Sequence, residues 1–157
     1  MRLEKAIGEI LRRRGWTLSI AESCTGGGLS DCITNVSGSS DYFEGGIVSY
    51  SNRAKAGHLF IPTKYIEKYG AVSPQVAGKM AQGVRKAFHT TLGLSTTGIA
   101  GPAGGTKKTP VGRVFIALSD GKRTLVRKES LKGSRRTIKK EAVQRSLRLL
   151  FGYIKRK

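Results

Sequence analysis

Hydrophobic residues recur at intervals of three and four over residues 2–14, where Leu3, Ala6, Ile7, Ile10 and Leu11 share one face. This pattern predicts an amphipathic helix, with Arg12, Arg13 and Arg14 near its negative end and Gly15 as its stop. The short run Thr17-Leu18-Ser19-Ile20 reads as a first strand, followed by a helix over residues 25–35 that turns Leu29, Cys32 and Ile33 inward. Residues 46–50 read as a second strand, and Ser51 or Asn52 caps a helix from 53 to about 59 that ends ahead of Pro62. A short helix over 63–69 is stopped by Gly70, and Ser73-Pro74 opens a longer one that buries Val76, Ala77, Met80, Ala81, Val84 and Ala87. Residues 92–97 form a third strand, and 111–118 with 123–129 a hairpin about Asp120-Gly121. A last helix over 135–154 presents Ile138, Ala142, Val143, Leu147, Leu150, Phe151 and Ile154 on one face. Phe88 and Phe151 are expected in the core and Trp16 at its edge.

Alternating helices and strands with a late hairpin imply a layered α/β domain whose sheet is mixed rather than purely parallel. Ligands in such sheets gather at the loops beyond the strand ends. The 157 residues fit one domain, taken as 1–157, and suffice for a core without disulfides. The sequence carries no apolar run of membrane-spanning length and no signal-peptide core, so a cytoplasmic protein without a membrane partner is expected. Cys24 and Cys32 have no second pair to complete a zinc site and are expected as reduced thiols; no metal is expected. His58 and His89 are isolated from carboxylates and cysteines at ligand spacing.

The net charge of +19, from 29 Lys and Arg against 10 Asp and Glu, changes the picture of partners rather than of fold. Its excess lies towards the C-terminus, from Lys122-Arg123 to Lys155-Arg156-Lys157. A nucleic-acid surface is one reading. A solvated basic face is the other and is favoured, because exposed aromatics and a helix-turn-helix or RNA-binding signature are missing.

The candidate chemistry sits in three loops. Ala21-Glu22-Ser23-Cys24-Thr25-Gly26-Gly27-Gly28 sets a nucleophile, Ser23, beside glycines at the expected start of a helix, where the N–H groups of Thr25, Gly26 and Gly27 would favour an oxyanion or a phosphate. The same glycines would equally serve a tight turn, and the Ser and Thr a helix cap. Tyr50 and Lys55 follow the second strand. Lys55 falls in a first helical turn, whose positive dipole end disfavours the ammonium form and would let the amine take a serine proton. The alternatives are a tyrosine at a strand edge and a charged surface lysine. The third loop, Gly98 to Gly105, is too long to be only a turn.

Five blocks, taken together, resemble the CinA C-terminal domain family in order and spacing over nearly the whole chain. They are Ala21-Glu22-Ser23-Cys24-Thr25-Gly26-Gly27, Gly46-Ile47-Val48-Ser49-Tyr50-Ser51-Asn52 with Ala54-Lys55, Gly70-Ala71-Val72-Ser73, Thr97-Gly98-Ile99-Ala100-Gly101-Pro102 with Gly104-Gly105, and Pro110-Val111-Gly112. The resemblance implies a three-layer α/β/α sandwich with a mixed central sheet, often a homo-oligomer, in the family's stand-alone form. It implies a nicotinamide-nucleotide amidase, which hydrolyses the carboxamide of nicotinamide mononucleotide to nicotinate mononucleotide and ammonia in pyridine-nucleotide salvage, with no cofactor. Carried over by motif, Ser23 is the nucleophile, Lys55 its base and Tyr50 the assisting residue. Thr25, Gly26, Gly27, Thr97, Gly98, Gly101 and Arg135 are expected around the substrate, a pyridine mononucleotide, with its phosphate on the third loop or on Arg135.

The chain departs from the family at three points. Ala103 stands where Asp is common, Thr109 where Lys is common before Pro110, and Ser134 where Asp is common before Arg135. The first two lie in or beside the third loop, so they bear on substrate affinity and identity more than on Ser23, Tyr50 and Lys55. A non-catalytic nucleotide- or nucleic-acid-binding protein on the same fold is the alternative reading.

Overall fold

The first helix forms where the apolar spacing placed it. In the computed structural model, which describes residues 2–157, α1 (Leu3–Arg14) buries Ala6, Ile7 and Leu11 and closes on Gly15 at φ 62°, a left-handed turn that glycine adopts without strain. The strands β1 (Leu18–Glu22), β2 (Phe43–Val48), β3 (Leu92–Gly98), β4 (Arg113–Ser119) and β5 (Thr124–Ser130) form one sheet in the order β2-β1-β3-β4-β5. β1 runs parallel to both its neighbours, whereas β3, β4 and β5 pair antiparallel, so the sheet is mixed as expected.

Three layers result. α1, α2 (Gly28–Thr34) and α6 (Arg135–Arg156) cover one face, where Ile7, Leu29, Ile138 and Leu147 pack on Leu18, Ile20, Leu94 and Ile116. α3 (Asn52–Leu59), α4 (Thr63–Tyr69) and α5 (Pro74–Phe88) cover the other, where Leu59, Ile66 and Met80 meet Ala21, and Ala77 and Ala81 meet Phe115 and Ala117. Each fully buried Leu or Ile contributes roughly 1.5–3 kcal/mol to this arrangement. The alternation along β1 decides which layer each residue meets: Leu18 and Ile20 face α6, while Ser19 turns to α5 and bonds Val84 O at 3.1 Å. α5 lies so close to the sheet that a β-carbon on Gly93 would collide with the Ala81 carbonyl.

The boundaries differ from expectation where side chains act on the backbone. β1 runs two residues further, through Glu22, and α2 starts at Gly28 rather than residue 25. β2 lies earlier than expected, which leaves Tyr50 beyond the strand. Cys32, Ala87, Phe88 and Phe151 are half-buried at the rim of the core rather than inside it, as Trp16 is. Much of the basic excess lies on exposed positions of β5, α6 and the link between them, among them Arg127, Lys128, Lys132, Arg136 and Lys140. No helix among the described residues is long and apolar enough to cross a membrane.

Candidate active site

Ser23 follows the last residue of β1, and its N–H donates to Thr96 O at 3.0 Å, so pairing with β3 continues up to it. The turn beyond is built around Glu22, which is fully buried. Its Oε2 accepts the N–H groups of Gly27 (3.1 Å) and Leu29 (3.0 Å). Its Oε1 accepts the Ser30 N–H (2.8 Å) and the Ser30 hydroxyl (2.7 Å). The positive end of α2 is therefore filled by the chain's own carboxylate. This corrects the expectation that these glycines cradle a ligand: Gly27 is held by Glu22, and the Gly26 N–H donates to Ser23 O at 3.1 Å. The Thr25 side chain is buried against Thr96, hydroxyl to hydroxyl at 2.7 Å. Among the described residues, the N–H groups of Cys24 and Thr25 meet no acceptor, so the donors left over lie immediately beside Ser23.

Lys55 reaches Ser23 from the opposite side of β1. Ser51 caps α3 by accepting the Ala54 N–H, which fixes Lys55 in the first turn, and its side chain is only 2% exposed. Its Nζ lies 3.1 Å from Ser23 Oγ, 2.9 Å from Ser49 O and 3.5 Å from Tyr50 O. Burial pulls its pKa below the ordinary lysine value, and neighbouring Cys24 opposes this more weakly. Loss of water, rather than the helix end invoked from sequence, is the dominant cause. Three oxygens thus surround Nζ: an ammonium meets them with three N–H groups, and a neutral amine with two N–H groups to the carbonyls and its lone pair towards Ser23 Oγ. Cys24, beside the nucleophile, is pushed up to about 12 by burial and stays a neutral thiol.

Ser23 and Lys55 open onto a pocket of about 230 Å³ that Tyr50, Thr97, Gly98, Gly101 and Arg135 also line. Thr25, Gly26 and Gly27 stay outside it. The Tyr50 side chain is 60% exposed, and it is the Tyr50 carbonyl, not the hydroxyl, that meets Lys55. The hydroxyl instead accepts from Arg135 Nη2 at 2.9 Å, while Arg135 Nη1 donates to Gly101 O at 2.8 Å. One guanidinium at the start of α6 thus ties the Tyr50 segment to the third loop. The Thr97 hydroxyl is committed to Ala71 O at 2.9 Å. Asn52, Ala71 and Val72 also line the pocket; they stand in the family blocks but were given no place at the site from sequence. Asn52 had a signal, since only one of Ser51 and Asn52 is needed as the cap. His58 and His89 are exposed and line no part of it.

A family model described as the CinA C-terminal domain matches residues 1–154. The chain belongs to the CinA C-terminal domain family. A CinA-like protein of Syntrophus aciditrophicus is 49% identical over 153 residues, which are 97% of this chain and 36% of that protein. One of Syntrophobacter fumaroxidans is 46% identical over 149 residues, covering 95% of this chain and 35% of its own length. The chain thus spans about a third of the length of these CinA relatives. Among solved structures, a competence-damaged protein (CinA) superfamily protein from Klebsiella pneumoniae superposes with a TM-score of 0.94 at 26% identity, covering 99% of this chain and 97% of that one. The competence/damage inducible protein CihA from Agrobacterium tumefaciens gives 0.90 at 33%, covering 96% and 94%. These matches agree with the CinA resemblance read from the motifs and with its mixed α/β fold.

Proposed function

We propose that the protein is a nicotinamide-nucleotide amidase acting through Ser23 and Lys55. The observation that carries this reading is the 3.1 Å contact between Ser23 Oγ and a buried lysine amine whose pKa is lowered. A hydroxyl is a weak nucleophile until a base takes its proton, and a buried amine that prefers neutrality supplies that base.

Ser23 Oγ attacks the carboxamide carbon while its proton passes to Lys55 Nζ. The oxyanion that forms is met by the N–H of Cys24, which borders the pocket beside Ser23 and needs no reorganisation as charge develops. Collapse breaks the C–N bond, Lys55 returns the proton to the departing nitrogen, and ammonia leaves an acyl ester on Ser23. Water, deprotonated by Lys55, attacks the ester; the C–Oγ bond breaks as Lys55 returns the proton to Ser23 Oγ, and the acid leaves as its carboxylate, giving its proton to ammonia or solvent. The carbonyls of Ser49 and Tyr50 accept N–H bonds from Nζ and hold the ammonium in place when Lys55 carries the proton. Arg135 shapes the mouth of the pocket by holding Tyr50 against the third loop.

The test is ammonia release from nicotinamide mononucleotide by the purified protein, with free nicotinamide as control. Turnover of the nucleotide well above that of free nicotinamide supports the reading. No release by folded protein overturns it.

A further inference from the structure

A second, larger groove adjoins the Ser23 pocket and shares Ala71, Val72 and Ile99 with it. Its volume is about 740 Å³, against about 230 Å³ for the pocket itself. Small-molecule sites usually occupy roughly 300–1,000 Å³, so the pocket alone is small for a whole nucleotide. The register explains the lining of the groove: Arg113 and Phe115 share one face of β4, and Lys128 stands opposite Phe115 on β5. Lys68 and Lys108 complete four cations facing one carboxylate, Glu67. Among the described residues none of these four cations lies within 4.0 Å of a carboxylate oxygen.

Two further features point to an anion. The Nε of Arg113 is buried without a hydrogen-bond partner, a costly state for a cationic donor. The start of the 15-residue helix α5, residues 73–75, also borders the groove and adds the positive end of its dipole. Ser73 caps this helix through the Val76 N–H, which leaves the Gln75 N–H without an acceptor among the described residues.

We infer that this groove is the phosphate subsite, taking the ribose 5-phosphate arm of a nucleotide whose amide lies at Ser23, with Arg113, Lys108 and Lys128 as its cations. The inference rests on the amidase reading for its substrate, but not for its anion chemistry. It also gives the phosphate a place other than Arg135, whose guanidinium is already committed to Tyr50 and Gly101.

The experiment titrates ribose 5-phosphate into the intact protein by calorimetry, in parallel with Lys108→Ala/Lys128→Ala, with Arg113→Gln, and with Lys5→Ala/Lys140→Ala. The last removes two exposed charges outside the groove. Binding should weaken about tenfold or more in the first two variants and less than about twofold in the third, because a charge in direct contact with the anion is screened far less than a distant one. Absence of saturable binding by the wild type, or equal loss in all three variants, overturns the subsite. Because Arg113→Gln can disturb the sheet, the Lys108/Lys128 pair decides. Ammonia release separates this inference from the one beneath it. If the lysine pair raises KM for the mononucleotide with kcat unchanged and leaves turnover of the phosphate-free riboside unaffected, both stand. An unchanged KM in an active enzyme overturns the subsite alone. Ribose 5-phosphate binding lost in the lysine pair, in a protein that releases no ammonia, supports the anion subsite and overturns the amidase.

Discussion

The turn after β1 and the loop after β3 both border the Ser23 pocket, and they are built in opposite ways. The first is held from within: a buried carboxylate takes three N–H groups and a hydroxyl, and Thr25 is fixed to Thr96. The second is largely exposed between Gly101 and Pro110 and is tethered to α6 through Arg135 and Gly101 O. The difference separates tasks. In the proposed reaction a nucleophile and its oxyanion donor must be fixed within fractions of an ångström, and a rigid turn provides that. A substrate wall can vary without disturbing the bond-making atoms, and Ala103 and Thr109, two of the chain's three departures, both fall on that looser side.

The largest effects should come from the rigid side. Ser23→Ala and Lys55→Met should each lower turnover of the mononucleotide by on the order of 10³-fold or more in steady-state assays, with circular dichroism unchanged. Activity near wild type in either would break the comparison at its base. Lys55 also sets the pH dependence. Below its lowered pKa it is an ammonium and cannot take the Ser23 proton, so kcat/KM should rise with pH up to that value and level off below the ordinary lysine range. The same shift links to stability: the folded protein binds this proton less tightly than the unfolded chain, so stability should climb with pH between the lowered value and 10.5. Chemical denaturation across that window should show the climb in wild type and its loss in Lys55→Met.

Next in size is the frame of the rigid turn. Glu22→Ala strands three N–H groups, two of them on buried or half-buried residues of α2, and should cost about 3 kcal/mol or more by urea denaturation. Glu22→Gln keeps an acceptor and should cost less. If the two are equal and mild, the turn is not held as described. On the loose side, Tyr50→Phe removes the Arg135 contact and should lower kcat/KM about threefold to tenfold, with stability changed by less than about 0.5 kcal/mol. The smallest effect belongs to Ala103→Asp, on an exposed residue, which should alter KM while leaving urea stability within about 0.5 kcal/mol.

The same division governs what was legible in the sequence. Helix ends were legible where local chemistry writes them: Ser51 and Ser73 as caps, Gly15 and Gly70 as stops, each within one or two residues. The turn after β1 was not, because its shape is set by Glu22 reaching five to eight residues along the chain, and a glutamate in an apolar strand gives no periodic signal. Of the glycines that looked free for a ligand, Gly27 is taken by that carboxylate, and Gly26 and Gly28 by the carbonyls of Ser23 and Thr25. Hydrophobic periodicity left Ser23, Lys55 and the third loop as separate features that could converge. Only the family resemblance assigned them to one site, and the register of β1 between β2 and β3 explains why they meet. The role of Tyr50 was misplaced for a similar reason: its carbonyl, which no sequence pattern singles out, serves Lys55, while its hydroxyl bonds a residue 85 positions away.

The central claim is that a buried amine activates Ser23, and it can be tested without any substrate. Intact-mass spectrometry would follow the reaction of the folded protein with a fluorophosphonate, a reagent that labels activated serines, across a range of pH. The account predicts a single adduct on Ser23, a labelling rate that rises with pH and levels off below the ordinary lysine range, and a loss of at least about a hundredfold in Lys55→Met. Labelling of Ser23 at the same rate in folded Lys55→Met, or no labelling of Ser23 in the wild type, would contradict it.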